Sequence, residues 1–154
     1  MQSTTWGMCP TYTTHYPSLV AGVTYANRDG SSRQEIIQRC QPGEQVFLIA
    51  EPDNAVDPHA VAVQREDGAQ LGYLPWELAE RVAGLLRKGY GYAAFLAEIL
   101  EPGPTYSGYG LRLRIFEASP DKSPEEVQEY IDAVQAQPAQ GPSAWPQPAA
   151  SEDR

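Results

Sequence analysis

Between two strand-like runs, the segment Glu51-Pro52-Asp53-Asn54-Ala55-Val56-Asp57-Pro58-His59 gathers three carboxylates, an amide and an imidazole. Such a set can do one of three things. Carboxylate oxygens hold Mg²⁺ and position water for phosphodiester cleavage, they accept a hydrogen bond from a ligand hydroxyl, or they cap the loop's own backbone N–H groups. The metal reading is the weakest, because no second acidic or lysine element with nuclease spacing accompanies the loop. Zinc is weaker still, since Cys9, His15, Cys40 and His59 show no C-x-x-C or H-x-x-x-H pairing. No G-x-x-x-x-G-K-[ST] phosphate loop is present either. The expectation is therefore a binding loop, with no catalytic residue, metal or cofactor. Holding the loop is the main role expected of Asn54; for Asp57, loop capping and ligand contact stand level.

The elements that must position this loop follow from local patterns. Residues 1–18 read as a loosely held arm, and Leu19 to Ala26 as a first strand ended by the turn formers Asn27-Arg28-Asp29-Gly30. Ser32 and Glu35 form a capping-box pattern before Ile36 and Ile37, so a short helix follows and stops by Pro42-Gly43. Val46 to Ala50 reads as a buried strand, His59 to Arg65 as a half-buried one, and Asp67-Gly68 as the hairpin turn into Ala69 to Tyr73. Pro75 opens a helix with Leu74, Leu78, Val82, Leu85 and Leu86 on one side, ending at Gly89. Tyr92 to Leu100 and Leu111 to Ile115 complete six strands, Arg112 and Arg114 facing solvent or a ligand. Ser123-Pro124-Glu125-Glu126 caps a last helix reaching Gln135, whose face Val127, Tyr130, Ile131 and Val134 packs on the barrel or docks a partner. Residues 137–154, rich in Pro, Ala and Gln, read as a disordered tail. Short strands with two embedded helices point to a small, nearly closed barrel, mainly β with some α.

The totals narrow the partners. The chain has 154 residues with 11 basic and 20 acidic side chains, a formal charge of -9. That leaves room for one modest core with appendages, and it argues against broad binding to a phosphate backbone, which relies on a basic face. A local cleft capturing one strand end is compatible with it. Two cysteines far apart, no signal-peptide pattern and no apolar run of membrane-spanning length imply a soluble protein of the reducing cytoplasm.

The order acid-Pro-x-Asn-x-x-Asp, an alternating strand, an Asp67-Gly68 turn and Leu71-Gly72-Tyr73-Leu74-Pro75 entering a helix resembles the HIRAN domain. Gly22-Val23-Thr24-Tyr25 and Ser31-Ser32-Arg33-Gln34-Glu35 extend the resemblance to about residues 19–118. It implies a modified OB-like barrel of the kind that accompanies repair helicases and nucleases and also occurs as short bacterial proteins. It also implies a pocket for the 3′ end of single-stranded DNA, in which Asp57 accepts from the terminal hydroxyl and Tyr25 stacks on a base. The sequence departs from that pattern at Val56, where an aromatic is usual, at Thr24, where an arginine is usual, and at Trp76, where a basic residue is frequent. Trp76 either stacks on a base or seals the barrel, and Tyr73 is expected on the barrel rim with its hydroxyl in water. Among the arginines, Arg28 is the preferred phosphate partner, ahead of Arg33, Arg39, Arg112 and Arg114.

These readings converge on a noncatalytic nucleic-acid-binding module with Tyr25, Asp57, Arg28, Tyr73, Trp76 and Asn54 at its site, acting in DNA repair or processing alongside a helicase or nuclease supplied by another chain. The domain layout expected is an arm over 1–18, a barrel over 19–118, an acidic helix over 119–136 and a tail over 137–154. The rival reading is a protein-interaction module on the same barrel that has lost its DNA contacts.

Overall fold

The computed structural model describes residues 13–105 and 107–136. Nine elements follow in chain order: β1 (Thr14–Leu19), α1 (Arg33–Gln38), β2 (Gln45–Ala50), β3 (Val61–Arg65), β4 (Gln70–Tyr73), α2 (Trp76–Arg87), β5 (Gly91–Leu100), β6 (Gly110–Ala118) and α3 (Pro124–Gln135). The strands form one antiparallel sheet in the order β1-β6-β5-β2-β3-β4. Just past β1 the chain meets the far edge of that sheet. Ala21 N–H donates to the Tyr73 carbonyl at 2.7 Å and Tyr73 N–H to the Ala21 carbonyl at 2.9 Å, so the sheet closes into an OB-like barrel through one residue pair. Gly72 permits the approach: a Cβ there would lie 2.4 Å from the Ala21 oxygen.

Inside the barrel, Val46, Val61, Val63, Leu71, Ala94, Leu96, Leu111, Leu113 and Ile115 form a single core, to which α1 adds Ile36 and Ile37. The buried face of α2 is Ala79, Val82 and Ala83, with Leu78 and Leu86 half-buried beside it. Small alanines let the helix axis approach the barrel, which turns the expected leucine stripe partly aside.

Besides β3, expected to be half-buried but with Val61, Ala62 and Val63 all buried, two elements differ from expectation. Thr14–Leu19 is a strand rather than part of an arm, and the run expected to be the first strand, Leu19 to Ala26, is mostly irregular, with isolated bridges at Ala21 and Ala26 and a turn at Val23 and Thr24. Pairing with β6 along its whole length, from Thr14↔Glu117 to Leu19↔Arg112, makes β1 a strand despite its polar residues. Pro17 is tolerated because β1 has a neighbour on one side only. The described barrel therefore begins before residue 19, while the remainder of the expected arm and the expected tail over 137–154 lie outside the described residues. The second difference is β2, which is not a buried strand: Val46 is buried, whereas Phe47 and Ile49 are exposed.

The last helix does pack on its own barrel. Its capping box is complete, with Glu126 N–H donating to Ser123 Oγ at 3.1 Å and Ser123 N–H to Glu126 Oε1 at 2.9 Å. Ile131 is buried, and the Tyr130 ring meets the outward rings of His15 and Phe116 at 6.0 and 6.1 Å. Burial, then the charge of Arg114, pushes the His15 pKa down.

At the α2 end of the barrel sits Glu117, a buried carboxylate. Tyr92 Oη donates to its Oε1 at 2.7 Å, Tyr16 Oη to the same oxygen at 3.2 Å, and Arg81 Nη2 to Oε2 at 2.7 Å. Burial first, and the carboxylate beside them, raise the pKa values of Tyr16 and Tyr92 well above the ordinary phenol range. Four elements are tied together at this point, and its partners satisfy a charge that would otherwise be costly to bury.

Candidate functional site

The 51–59 loop is built by its own side chains. Asn54 Oδ1 accepts from Val56 N–H at 2.9 Å and Asp57 N–H at 3.0 Å, and its Nδ2 donates to Glu51 Oε1 at 3.0 Å. Asp57 Oδ1 accepts from His59 N–H at 2.8 Å, which engages one of its two carboxylate oxygens. Asn54 is thus the keystone of the loop, as its type and spacing predict. Asp57 has a capping role and presents the rest of its half-buried carboxylate at the bend.

Against this loop lies a cleft of about 650 Å³, lined by Arg28 and Arg33, by Glu51, Asp53 and Asn54 of the loop, and by Gln70 and Tyr73 of β4. Tyr73 does not leave its hydroxyl in water: Oη donates to Glu51 Oε1 at 3.0 Å, which fixes the ring as the cleft wall. The two arginines differ. Arg33 is buried, with Nε on Asn27 Oδ1 at 2.6 Å, Nη1 on the Gly22 carbonyl at 2.8 Å and its guanidinium 5.4 Å from the centre of the Tyr73 ring. It is a structural clasp. Arg28 is exposed, carried on a turn in which Asp29 Oδ1 accepts from Ser31 N–H and Oγ at 2.9 and 2.7 Å. Those hydrogen bonds lower the Asp29 pKa. Among the described residues no carboxylate pairs with Arg28.

Of the six residues singled out in the sequence, the cleft brings together Arg28, Tyr73 and Asn54. Tyr25, Asp57 and Trp76 are not among its lining residues. Tyr25 stands beside it, next in sequence to the lining residue Ala26, with 70% of its surface exposed. Its turn is held by Tyr25 N–H on the Gly22 carbonyl at 3.2 Å, a geometry that uses the positive φ of +72° at Gly22. Trp76 is 67% exposed, so it does not seal the barrel; as the first residue of α2 it points away from the core that Ala79 and Val82 enter.

One residue escaped the sequence reading. Gln34 Nε2 donates to the carbonyls of Val23 and Tyr109, both at 3.0 Å, and Oε1 accepts from Tyr109 N–H at 2.7 Å. It bolts the Tyr25 turn to the β5–β6 connection. Arg112, expected to face solvent or a ligand, pairs with Glu98. Among the described residues no group of three His, Cys, Asp or Glu side chains could hold a metal ion, and no helix is long and apolar enough to cross a membrane.

The sequence profile of the HIRAN domain matches residues 15–112, more than half of the chain. The chain belongs to the HIRAN domain family. No curated protein sequence matches it. Among solved structures, a protein from Lactobacillus plantarum is similar with a TM-score of 0.54 at 19% identity, covering 70% of this chain and 99% of that one. The HIRAN domain of human HLTF is similar with a TM-score of 0.50 at 20% identity, covering 79% of this chain and 86% of that one. At these identities the likeness is one of fold. The matched span begins at His15, inside β1, in agreement with the barrel starting earlier than the sequence patterns imply.

Proposed function

We propose that this HIRAN domain is a noncatalytic nucleic-acid-binding module that captures the end of single-stranded DNA bearing a free 3′ hydroxyl. The observation that carries the reading is the cleft itself, whose lining joins Arg28, with which no carboxylate among the described residues pairs, to the acids Glu51 and Asp53 and the Tyr73 ring. A cation and acids lining one cleft suit an end with one phosphate on the chain side and a hydroxyl at the terminus. Arg28 takes the phosphate, Asp57 accepts from the hydroxyl, and the exposed rings of Tyr25 and Trp76 stack on bases. Tyr73 and Asn54 hold the wall and the loop. Function in DNA repair or processing, beside a helicase or nuclease on another chain, follows from the family membership as part of the same proposal.

The test compares a labelled short strand ending in a 3′ hydroxyl with the same strand ending in a 3′ phosphate, at two salt concentrations. A preference for the hydroxyl is expected, because the loop acids repel a terminal phosphate, and Asp57→Ala should abolish it. Tyr25→Ala should weaken binding by about 1–3 kcal/mol per stacked base. Equal weak binding to both strands, or none, refutes the reading. It would favour a protein-interaction module, for which the net charge of -9 is the supporting observation.

A further inference from the structure

Beyond the cleft, the outward face of the sheet carries two exposed apolar side chains, Phe47 and Ile49. In the register of the sheet, Ile49 of β2 pairs with Ala62 of β3, which pairs with Tyr73 of β4; one row along, Phe47 pairs with Gln64, which pairs with Gln70. Residues directly opposite one another in adjacent strands share a face, so Phe47 and Ile49 stand on the same outward face as the cleft wall formed by Tyr73 and Gln70. Alternation along β2 puts Glu51 on that face too, and the Tyr73–Glu51 hydrogen bond agrees with it. Phe47 is 39% exposed and Ile49 42%. At about 3.3 Å per residue they lie roughly 6.6 Å apart along the strand. No charged side chain interrupts either row.

We infer that Phe47 and Ile49 form a second subsite, on which the bases leading to the strand end are laid. This rests on the reading of the cleft as a single-strand site and extends it along β2. Three observations select bases as the occupant. The two apolar side chains stand on the same outward face as the cleft wall, the two rows being separated by the β-bulge between Val63 and Gln64. The rows carry amides, Gln64 and Gln70, and the neighbouring carboxylate on that face, Glu51, already accepts hydrogen bonds from Tyr73 and Asn54. The face presented is aromatic and aliphatic, suited to the flat faces of bases irrespective of sequence.

The experiment measures binding of the full chain to oligothymidylates of about 3 and about 10 nucleotides, both with 3′ hydroxyls, the first below and the second within the site sizes of about 4–16 nucleotides of single OB folds. The parent is expected to bind the longer strand more tightly. Phe47→Ala should remove about tenfold of the longer strand's affinity while leaving the shorter strand's affinity within twofold, and Ile49→Ala should act in the same direction with smaller size. Both sites are at the surface, and an unchanged melting temperature checks that folding is intact. Equal loss on both strands, or no loss on either, overturns the subsite while leaving end capture standing. Failure of the parent to bind either strand overturns end capture and the subsite together. A parent that sediments as a dimer and becomes a monomer on Phe47→Ala also overturns it, because the face would then be covered by a second copy of the chain.

Discussion

Replacing Gly72 by alanine tests how the barrel is closed. The added Cβ would sit 2.4 Å from the Ala21 carbonyl oxygen and 2.7 Å from Val20 Cγ1, far inside contact distance, and the first of these is backbone that no rotamer change can move. The Ala21–Tyr73 pair must separate, losing two hydrogen bonds of 2.7 and 2.9 Å. At about 1 kcal/mol each, with about 1–3 kcal/mol for overpacking, the expected destabilisation is about 3–5 kcal/mol. Gly91→Ala supplies the control: nothing lies within 4 Å of its virtual Cβ, so its effect should stay within about 0.5 kcal/mol. Urea unfolding followed by intrinsic fluorescence reads both. A Gly72→Ala loss below about 1 kcal/mol, or equal losses in the two variants, would refute the idea that this pair shuts the barrel.

Further outcomes follow from the same geometry. Because the phenol pKa values of Tyr16 and Tyr92 are raised in the fold, native protein keeps protons that the unfolded chain releases above its ordinary value of about 10. Stability should therefore be fully present below about pH 10 and fall above it, more shallowly in Tyr16→Phe/Tyr92→Phe, as urea midpoints against pH would record. His15 behaves oppositely: its lowered pKa predicts stability that is complete above about pH 6.5 and lost as pH falls below it, a slope that His15→Phe should reduce. Gln34→Glu keeps the acceptor for Tyr109 N–H but loses the donor to Val23 and Tyr109, so single-strand affinity should drop about threefold to tenfold with a loss of only about 1–2 kcal/mol in stability; unchanged affinity would dissociate Gln34 from the placement of Tyr25. Arg28→Ala should weaken binding to all strand sequences alike and flatten the log–log salt dependence by about 0.7, and an unchanged slope would remove Arg28 from the phosphate contact.

What the sequence made legible is what is held locally. The Ser123–Glu126 box, the Asp67-Gly68 turn and the Asn54 and Asp57 caps all act over two or three residues, so residue type and spacing suffice to find them. The strand Thr14–Leu19 was illegible because its polar, proline-containing run becomes a strand through its partner β6, far along the chain. The outward aim of Phe47 and Ile49 could not be read from an uninterrupted apolar run, which has no alternation to fix a face. Gln34 and Glu117 look like ordinary polar residues until folding brings partners from other elements: Tyr109 is 75 positions away from Gln34, and Tyr16 is 101 from Glu117. Within the site, the loop caps of Asn54 and Asp57 were visible, whereas the engagement of the Tyr73 hydroxyl by Glu51 and the exposure of Trp76 depend on how strands and helix meet.

The joint at Ala21 and Tyr73 is a single rung, and one of its two residues is also a wall of the cleft. The place where the barrel would first gape is therefore the place where a ligand would sit. Were the proposed ligand to occupy the cleft, occupancy and zipping would become one linked equilibrium, in which the bound molecule would act as a staple and slow solvent exchange of those two amides first.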